Sequence, residues 1–259
     1  MKIEVITSPQ NPKVKNLLKL IEKSSERRAQ NLIVVEGKRE LDLAIAAGME
    51  IEQLFFCDVL GANANELPAS QYFEISREVF AKLAYREKSD GYIGLLKPKY
   101  YSLRTLPIGP NPFIIVLEAV EKPGNLGAIM RTADAANIDA VIICDPKTDI
   151  YNPNAIRSSV GCLFTVPIAL TNNEELKEWF EEKDIHYYAA ALTASKEYTD
   201  IDFKLSSAII MGTEATGLSD FWLDEHDRQI KIPMQGKIDS LNVSISAAVL
   251  TFEAKRQRK

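Results

Sequence analysis

Two unbroken apolar runs, Phe113-Ile114-Ile115-Val116-Leu117 and Ala140-Val141-Ile142-Ile143-Cys144, constrain this chain more than any other feature. A strand with one wet face alternates apolar and polar side chains. A run without alternation is buried on both faces, as in a parallel sheet covered by helices on either side. Between the two runs, Leu126, Ile129, Met130 and Ala133 recur at helical spacing after the turn Pro123-Gly124-Asn125. Strand, helix, strand is the unit from which such sheets are built. Further strands are expected at Val166-Pro167-Ile168-Ala169-Leu170, Tyr187 to Leu192, Ala208 to Met211 and Gln229 to Met234, with helices over Pro153 to Gly161 and Glu174 to Lys183. The second half is therefore α/β, with a mostly parallel six-stranded sheet.

The first half reads as a small α/β domain. Strands are expected at Leu32 to Val35, Gln53 to Cys57, Tyr72 to Ile75 and Asp90 to Leu96, and helices at Asn16 to Lys23, from Leu41 to a stop at Gly48, and at Arg77 to Ala84. Lys97 to Pro112 holds four prolines and one glycine, a density that resists helix and sheet interior alike. The domain break is placed there, giving residues 1–105 and 106–259.

The formal net charge of −5 argues against a basic coat, yet leaves room for a local basic face. Lys13, Lys15, Lys19, Lys23, Arg27 and Arg28 concentrate on the first helix and beyond, as a solvated face or a phosphate-contacting arm. The three cysteines, Cys57, Cys144 and Cys162, lie in or beside apolar runs and are expected as buried free thiols. With only His186 and His226, a histidine metal site is poorly supplied, and no metal is expected. No signal-length apolar segment and no run approaching a membrane span occurs, so a cytoplasmic protein that does not engage a membrane is expected.

In an open α/β sheet, ligands bind outside the carboxyl ends of the strands. The corner Gly124-Asn125-Leu126-Gly127 opens a helix there, and its free amides suit an anion. Arg131 adds a full charge within two turns, or else forms a surface ion pair with Asp134. Gly212 and Gly217 bracket Glu214, allowing either close approach by a ligand or only a tight turn. Near the carboxyl terminus, Ser240-Leu241-Asn242-Val243-Ser244 opens a helix whose apolar positions are Leu241, Ile245, Ala248, Val249 and Phe252, read as its buried face. Ser240 or Asn242 serves as N-cap. No Gly-x-Gly-x-x-Gly and no Gly-Lys-Ser/Thr loop is present, so dinucleotide and P-loop readings lack support.

Three stretches carry a resemblance. Asn125-Leu126-Gly127-Ala128-Ile129-Met130-Arg131-Thr132-Ala133-Asp134-Ala135 resembles the first motif of the SpoU/TrmH family in the SPOUT methyltransferase superfamily. Ile210 to Leu218 resembles the second, and Ile232-Pro233-Met234 through Ser244 the third, in the family's order across residues 113–259. Ala215 stands where the family more often has Gly. The first half is similar to the small substrate-binding domain found ahead of many members, with Val34-Val35-Glu36-Gly37 and the helix to Gly48 as its marker.

The resemblance implies 2′-O-methylation of an RNA ribose by S-adenosylmethionine, on a sheet whose C-terminal segment threads a trefoil knot. The donor would be held at Leu192, Thr193, Gly212, Glu214, Gly217, Ile232, Met234, Ser240, Leu241 and Val243, with Ile232 and Leu241 flanking the adenine. Arg131 occupies the family's catalytic position. A guanidinium is a poor base, so its implied role is to orient the ribose hydroxyl and the adjacent phosphate. Asn125, Ser240 and Asn242 would position the ribose, and Glu214 would order Asn125 and its loop. The resemblance also implies a homodimer, with RNA bridging one active site and the partner's N-terminal domain. The C-terminal helix either contributes to that interface or packs within the chain. Structured ribosomal RNA, 23S in particular, suits a separate N-terminal domain better than transfer RNA does; the alternatives are a transfer-RNA ribose methyltransferase and a non-catalytic RNA-binding protein on the same fold. The latter would be expected to have lost Arg131, Asn125 or Ser240, and all three are present. The tail Lys255 to Lys259 is expected to be solvated or to contact phosphate.

Overall fold

The structure, a computed structural model, describes residues 2–85 and 89–259. The first part of the chain forms β1 (Ile3–Ile6), α1 (Pro12–Glu22), α2 (Ser24–Gln30), β2 (Ile33–Glu36), α3 (Lys38–Ala46), β3 (Ile51–Phe56), β4 (Ala69–Ile75), α4 (Arg77–Leu83) and β5 (Tyr92–Leu96). Then follow β6 (Phe113–Glu118), α5 (Pro123–Ala135), β7 (Ala140–Cys144), α6 (Pro153–Ser158), β8 (Ile168–Thr171), α7 (Asn173–Glu182) and β9 (His186–Ala190). The chain ends with β10 (Lys196–Glu197), β11 (Ser207–Met211), α8 (Asp220–Leu223), β12 (Gln229–Lys231) and α9 (Val243–Gln257).

These elements form two compact units. One runs to Lys99 and takes in Tyr151–Thr165; the other comprises Tyr100–Ile150 and Val166–Lys259. The expected break near residue 105 would leave Tyr151–Thr165 with the second half, but these residues pack with the first. The Tyr151 hydroxyl donates to the Lys99 carbonyl at 2.5 Å, and α6 lies on β2. Arg157 stacks over the Tyr85 ring at 4.2 Å. Gly161, at φ +85°, sits so close to Leu43 that an added Cβ would meet its Cδ1 at 2.6 Å.

The first unit is a five-stranded sheet in the order β1-β4-β3-β5-β2, with β5 antiparallel to both its neighbours. Strand β1 was not foreseen. It is an edge strand with Ile3 and Val5 exposed, and carries no apolar run to announce it. Leu17, Leu20, Phe55, Phe73 and Phe80 form the core under α1 and α4. Arg27, read as a possible phosphate contact, is 4 % exposed and donates to the carbonyls of Leu20 and Ile21 at the end of α1. It is a helix cap.

The second unit is a seven-stranded sheet in the order β10-β12-β9-β11-β6-β7-β8, and every pairing within it is parallel. The expected sheet had one strand fewer. The addition is β10, two residues long and exposed, beyond the reach of periodicity. Two other strands stop early: β9 at Ala190 and β12 at Lys231, releasing Leu192, Thr193 and Ile232–Met234 into loops. The two apolar runs are β6 and β7, every residue of which is buried. Since all strands point the same way, the loops after β6, β9, β11 and β12 emerge at one edge.

Helix α9 packs on α5, but not through the expected face. Ala247, Leu250, Thr251 and Ala254 are buried, while Ile245 and Phe252 are 52 % and 51 % exposed. The apolar residues outnumber what one face can hold, so the stripe of small residues takes the close helix contact. The tail is solvated only in part: Arg256 and Lys259 are exposed, while Gln257 and Arg258 are held by the fold. Arg258 donates to the carbonyls of Phe203, Leu205, Asn111 and Pro112 and to Ser207 Oγ. Gln257 binds the backbone of Phe203 and Ile201. The three cysteines are buried and outside any disulfide among the described residues. Among the described residues no helix is long and apolar enough to cross a membrane, and no group of three or more His, Cys, Asp or Glu is placed to hold a metal.

Candidate active site

The loops at the carboxyl edge enclose a cavity of about 560 Å³. It lies within the second unit and is lined by Leu192 and Thr193 after β9, Gly212, Glu214 and Gly217 after β11, and Ile232, Met234, Ser240, Leu241 and Val243 after β12. Every position expected to hold a methyl donor therefore faces one space. The volume lies in the usual range for a pocket that encloses a small organic ligand. Leu192 is 61 % exposed, an apolar side chain left open at the rim.

The loop after β11 is a closed hairpin. Thr213 and Gly217 exchange backbone hydrogen bonds at 3.0 and 3.1 Å, and Thr216 N–H donates to Thr213 Oγ1 at 3.0 Å. Gly217 has φ +71°, where only glycine is unstrained. A Cβ on Gly212 would lie 2.1 Å from the Gly217 carbonyl. Both glycines are thus required by the turn itself, and the turn leaves its backbone open to the cavity.

A polar cluster stands at one side of this space. Asn242 caps α9, its Oδ1 accepting from Ser244 N at 2.9 Å and Ser244 Oγ at 2.6 Å. Its Nδ2 donates to the Glu214 carboxylate and to Asn125 Oδ1, the latter at 3.3 Å. Lys122 forms an ion pair with the same carboxylate. Lys122 first, and then the Asn125 amide, hold the Glu214 carboxyl below its usual range. Ser240 lines the cavity but bonds to Asp239, outside this cluster. Arg131 stands six residues beyond Asn125 on α5, about 9 Å along the helix, and is exposed. It does not line the cavity, and among the described residues it has no ion pair with Asp134 or any other carboxylate.

A family model described as the SpoU rRNA Methylase family matches residues 112–252, and one described as the MRM3-like substrate binding domain matches residues 11–94. The chain belongs to the SpoU rRNA methylase family. It is 28 % identical to the Bacillus subtilis 23S rRNA (guanosine(2553)-2′-O)-methyltransferase RlmP, over 95 % of this chain and 97 % of that one. It is 32 % identical to an uncharacterized tRNA/rRNA methyltransferase of Synechocystis, over 99 % and 95 %. Among solved structures it resembles an RNA 2′-O ribose methyltransferase, with TM-score 0.83, 36 % identity and coverage of 98 % and 99 %. It also resembles an AdoMet-bound rRNA methyltransferase from Sinorhizobium meliloti, with TM-score 0.88, 29 % identity and 98 % of each chain covered. The mostly parallel α/β sheet is that of the SPOUT neighbours.

Several residues that shape this SpoU site were not singled out from sequence. Lys122 precedes the expected turn Pro123-Gly124-Asn125 and was given no role. Gln229 is 4 % exposed, donates to the Leu223 carbonyl at 2.6 Å and accepts from Thr193 Oγ1 at 3.4 Å, which links β12 to the loop after β9. Glu118 is 6 % exposed at the end of β6. A carboxylate closing a wholly apolar run was the one available signal for it.

Proposed function

We propose that this protein transfers the methyl group of S-adenosylmethionine to the 2′-oxygen of a ribose in structured RNA, most specifically in 23S ribosomal RNA. The observation that carries this reading is the convergence of three distant sequence stretches on one cavity large enough for the donor and flanked by a polar cluster. The cavity suits an adenosyl ligand: its walls at Ile232, Leu241, Met234 and Leu192 are apolar, and the hairpin presents backbone without side chains at Gly212 and Gly217. The bound donor supplies an electrophilic methyl on a sulfonium and needs no metal.

The chain's own residues do the rest. Backbone groups of the loops after β9, β11 and β12 hold the adenosine, with Ile232 and Leu241 on either side of the base. Asn125, Asn242 and Ser240 position the ribose. Glu214 orders Asn242 and Asn125 by accepting their amide protons, and Lys122 keeps it ionised. Arg131 donates to the ribose hydroxyl and the adjacent phosphate, which lowers the hydroxyl's pKa; the displaced proton passes to that phosphate or to solvent. Among the described residues Arg131 forms no ion pair, which supports that role.

The reading includes a homodimer. Ile245 and Phe252, exposed on α9 with the half-buried Ala248 between them, are the surface offered to a second copy. It also includes a trefoil knot made by the last segment, supported by the path from β12 beside β9 back to α9 on α5. The first unit serves as the RNA-binding part, and the protein works in the cytoplasm.

Calorimetric titration with S-adenosylmethionine, NAD and ATP is the first test. Binding of the first alone is expected, and no binding of it would overturn the reading. Ribose-methylation mapping of 23S ribosomal and transfer RNA, from cells with and without the gene, then identifies the substrate. A transfer-RNA site would replace the ribosomal assignment.

A further inference from the structure

We propose that Glu118 is a positioning residue for the donor loop, a role that rests on the methyl-transfer reading above. Its carboxylate is buried at the carboxyl end of β6 and accepts every hydrogen bond shown to it: from Ser219 N–H at 2.8 Å, from Ser219 Oγ at 2.5 Å and from Asn173 Nδ2 at 2.6 Å. Asn173 is itself fixed, since its Oδ1 accepts from Trp222 Nε1 at 3.0 Å. No cation pairs with Glu118 among the described residues.

Ser219 is the residue at which the chain leaves the Gly212–Leu218 loop. The loop is anchored on its other side by β11, which pairs with β6 up to Met211 and Leu117. Glu118 therefore clamps the loop's exit to the same strand that anchors its entrance. The hairpin between is a closed unit, so its orientation follows from these two ends. Glu118 also lines a void of about 20 Å³ shared with Asn125, Gly212 and Glu214, which places the clamp directly beneath the polar cluster. Burying a carboxylate away from any cation is costly, and packing alone would be met by a threonine or a valine. The carboxyl group is explained by the geometry: its two oxygens accept from a backbone N–H, a hydroxyl and a side-chain amide at once, which neither replacement could do.

Glu118→Gln keeps the shape and removes that property. With its amide nitrogen toward Ser219 N–H, two donors face each other. In the flipped orientation the nitrogen meets Asn173 Nδ2, which cannot turn without losing Trp222. The loop exit is released in either case. The expected result is a rise of about tenfold in the Kd for S-adenosylmethionine, the size of one buried hydrogen bond lost. The donor KM rises in parallel, while kcat at saturating donor stays within about twofold. Ser219→Ala removes one donor of the three and is expected to raise the Kd about threefold, so the clamp remains testable if the Gln variant fails to fold. Donor affinity equal to wild type in either folded variant would overturn the proposal. A fall in kcat at unchanged donor KM would also overturn it, because it would place Glu118 in the transfer step. Absence of donor binding by the wild-type protein would instead refute the functional reading.

Discussion

Asn242 Nδ2 donates to the carboxylate of Glu214 and so joins the cap of α9 to the hairpin after β11. One side chain does two things here. Its Oδ1 satisfies the free amide of Ser244, and its Nδ2 reaches the hairpin and Asn125. Serine, threonine or aspartate would cap the helix as well, but none carries a second, donating arm of that length. Asn242 lines the cavity with a side chain that both caps the helix and donates across to the hairpin.

Two replacements separate the roles. Asn242→Asp keeps the cap and sets a second carboxylate against Glu214; methyl transfer is expected to fall at least about tenfold with little loss of helix stability. Asn242→Ala removes cap and link together, costing about 1 kcal/mol and lowering Tm by about 2–4 °C as well. Thermal melts and initial rates on both variants check this, and equal melts would disprove the division.

Much of this arrangement was legible in the chain, and the parts that were not share a cause. The continuous apolar runs that became β6 and β7 announced a buried parallel sheet because burial on both faces leaves no alternation. The three quoted motifs gave Gly212, Glu214, Gly217, Ile232, Met234, Ser240, Leu241 and Val243, which line one cavity, whereas Leu192 and Thr193 on the same wall lie outside those motifs. The edge strands β1 and β10 were not, since an edge has few apolar residues to display. Which face of α9 is buried was misjudged because Ala247, Thr251 and Ala254 make the closer contact while larger side chains stay outside. The roles of Arg27, Glu118 and Arg258 depend on partners distant in sequence, which no spacing encodes.

Arg131→Ala is expected to abolish methyl transfer and to leave donor affinity within about twofold, because Arg131 is exposed and does not line the donor cavity. Arg131→Lys is expected to fail nearly as badly, since an ammonium lacks the planar fork that spans a hydroxyl and a phosphate. Binding isotherms alongside single-turnover rates decide it. Loss of donor binding in the Ala variant would reassign the residue.

Gly212→Ala tests the hairpin. The added Cβ would lie 2.1 Å from the Gly217 carbonyl, so the two sides of the turn must separate. Donor binding is expected to fall below detection while far-ultraviolet circular dichroism stays unchanged, because the turn lies outside both cores. A variant that binds the donor normally would show that the hairpin opens freely.

Arg258→Ala should weaken the whole second unit. The guanidinium serves carbonyls from Asn111, Pro112, Phe203 and Leu205 and lies 5.2 Å from the Phe113 ring. Its loss leaves several of these acceptors without a donor, at a cost of about 2–4 kcal/mol, or a fall in Tm of about 5–10 °C. Lysine reaches one carbonyl at a time and is expected to recover less than half. Calorimetric melting of the three proteins is the measurement.

Acid is expected to loosen the site before it unfolds the chain. Lys122, and next the Asn125 amide, hold the Glu214 carboxyl below its ordinary value of 4.5, while Arg256 and then Gln257 lower Glu253 on α9 to about 2. A carboxyl whose folded pKa is depressed binds fewer protons in the native state than in the unfolded one. Its contribution is fully present above the unfolded value and disappears as pH falls through the folded one. For Glu214 the stability contribution begins to fade near 4.5, but the folded protein takes up the proton only at lower pH, so donor affinity should be flat from about pH 8 down to about 4.5 and decline below. As Glu214 protonates, Lys122 loses its ion pair and Asn242 its strongest acceptor. Glu214→Gln holds the neutral state at every pH. Its donor affinity should match the acid limit of the wild type and show no decline of its own, whereas a decline identical to wild type would trace the acid limb to another group.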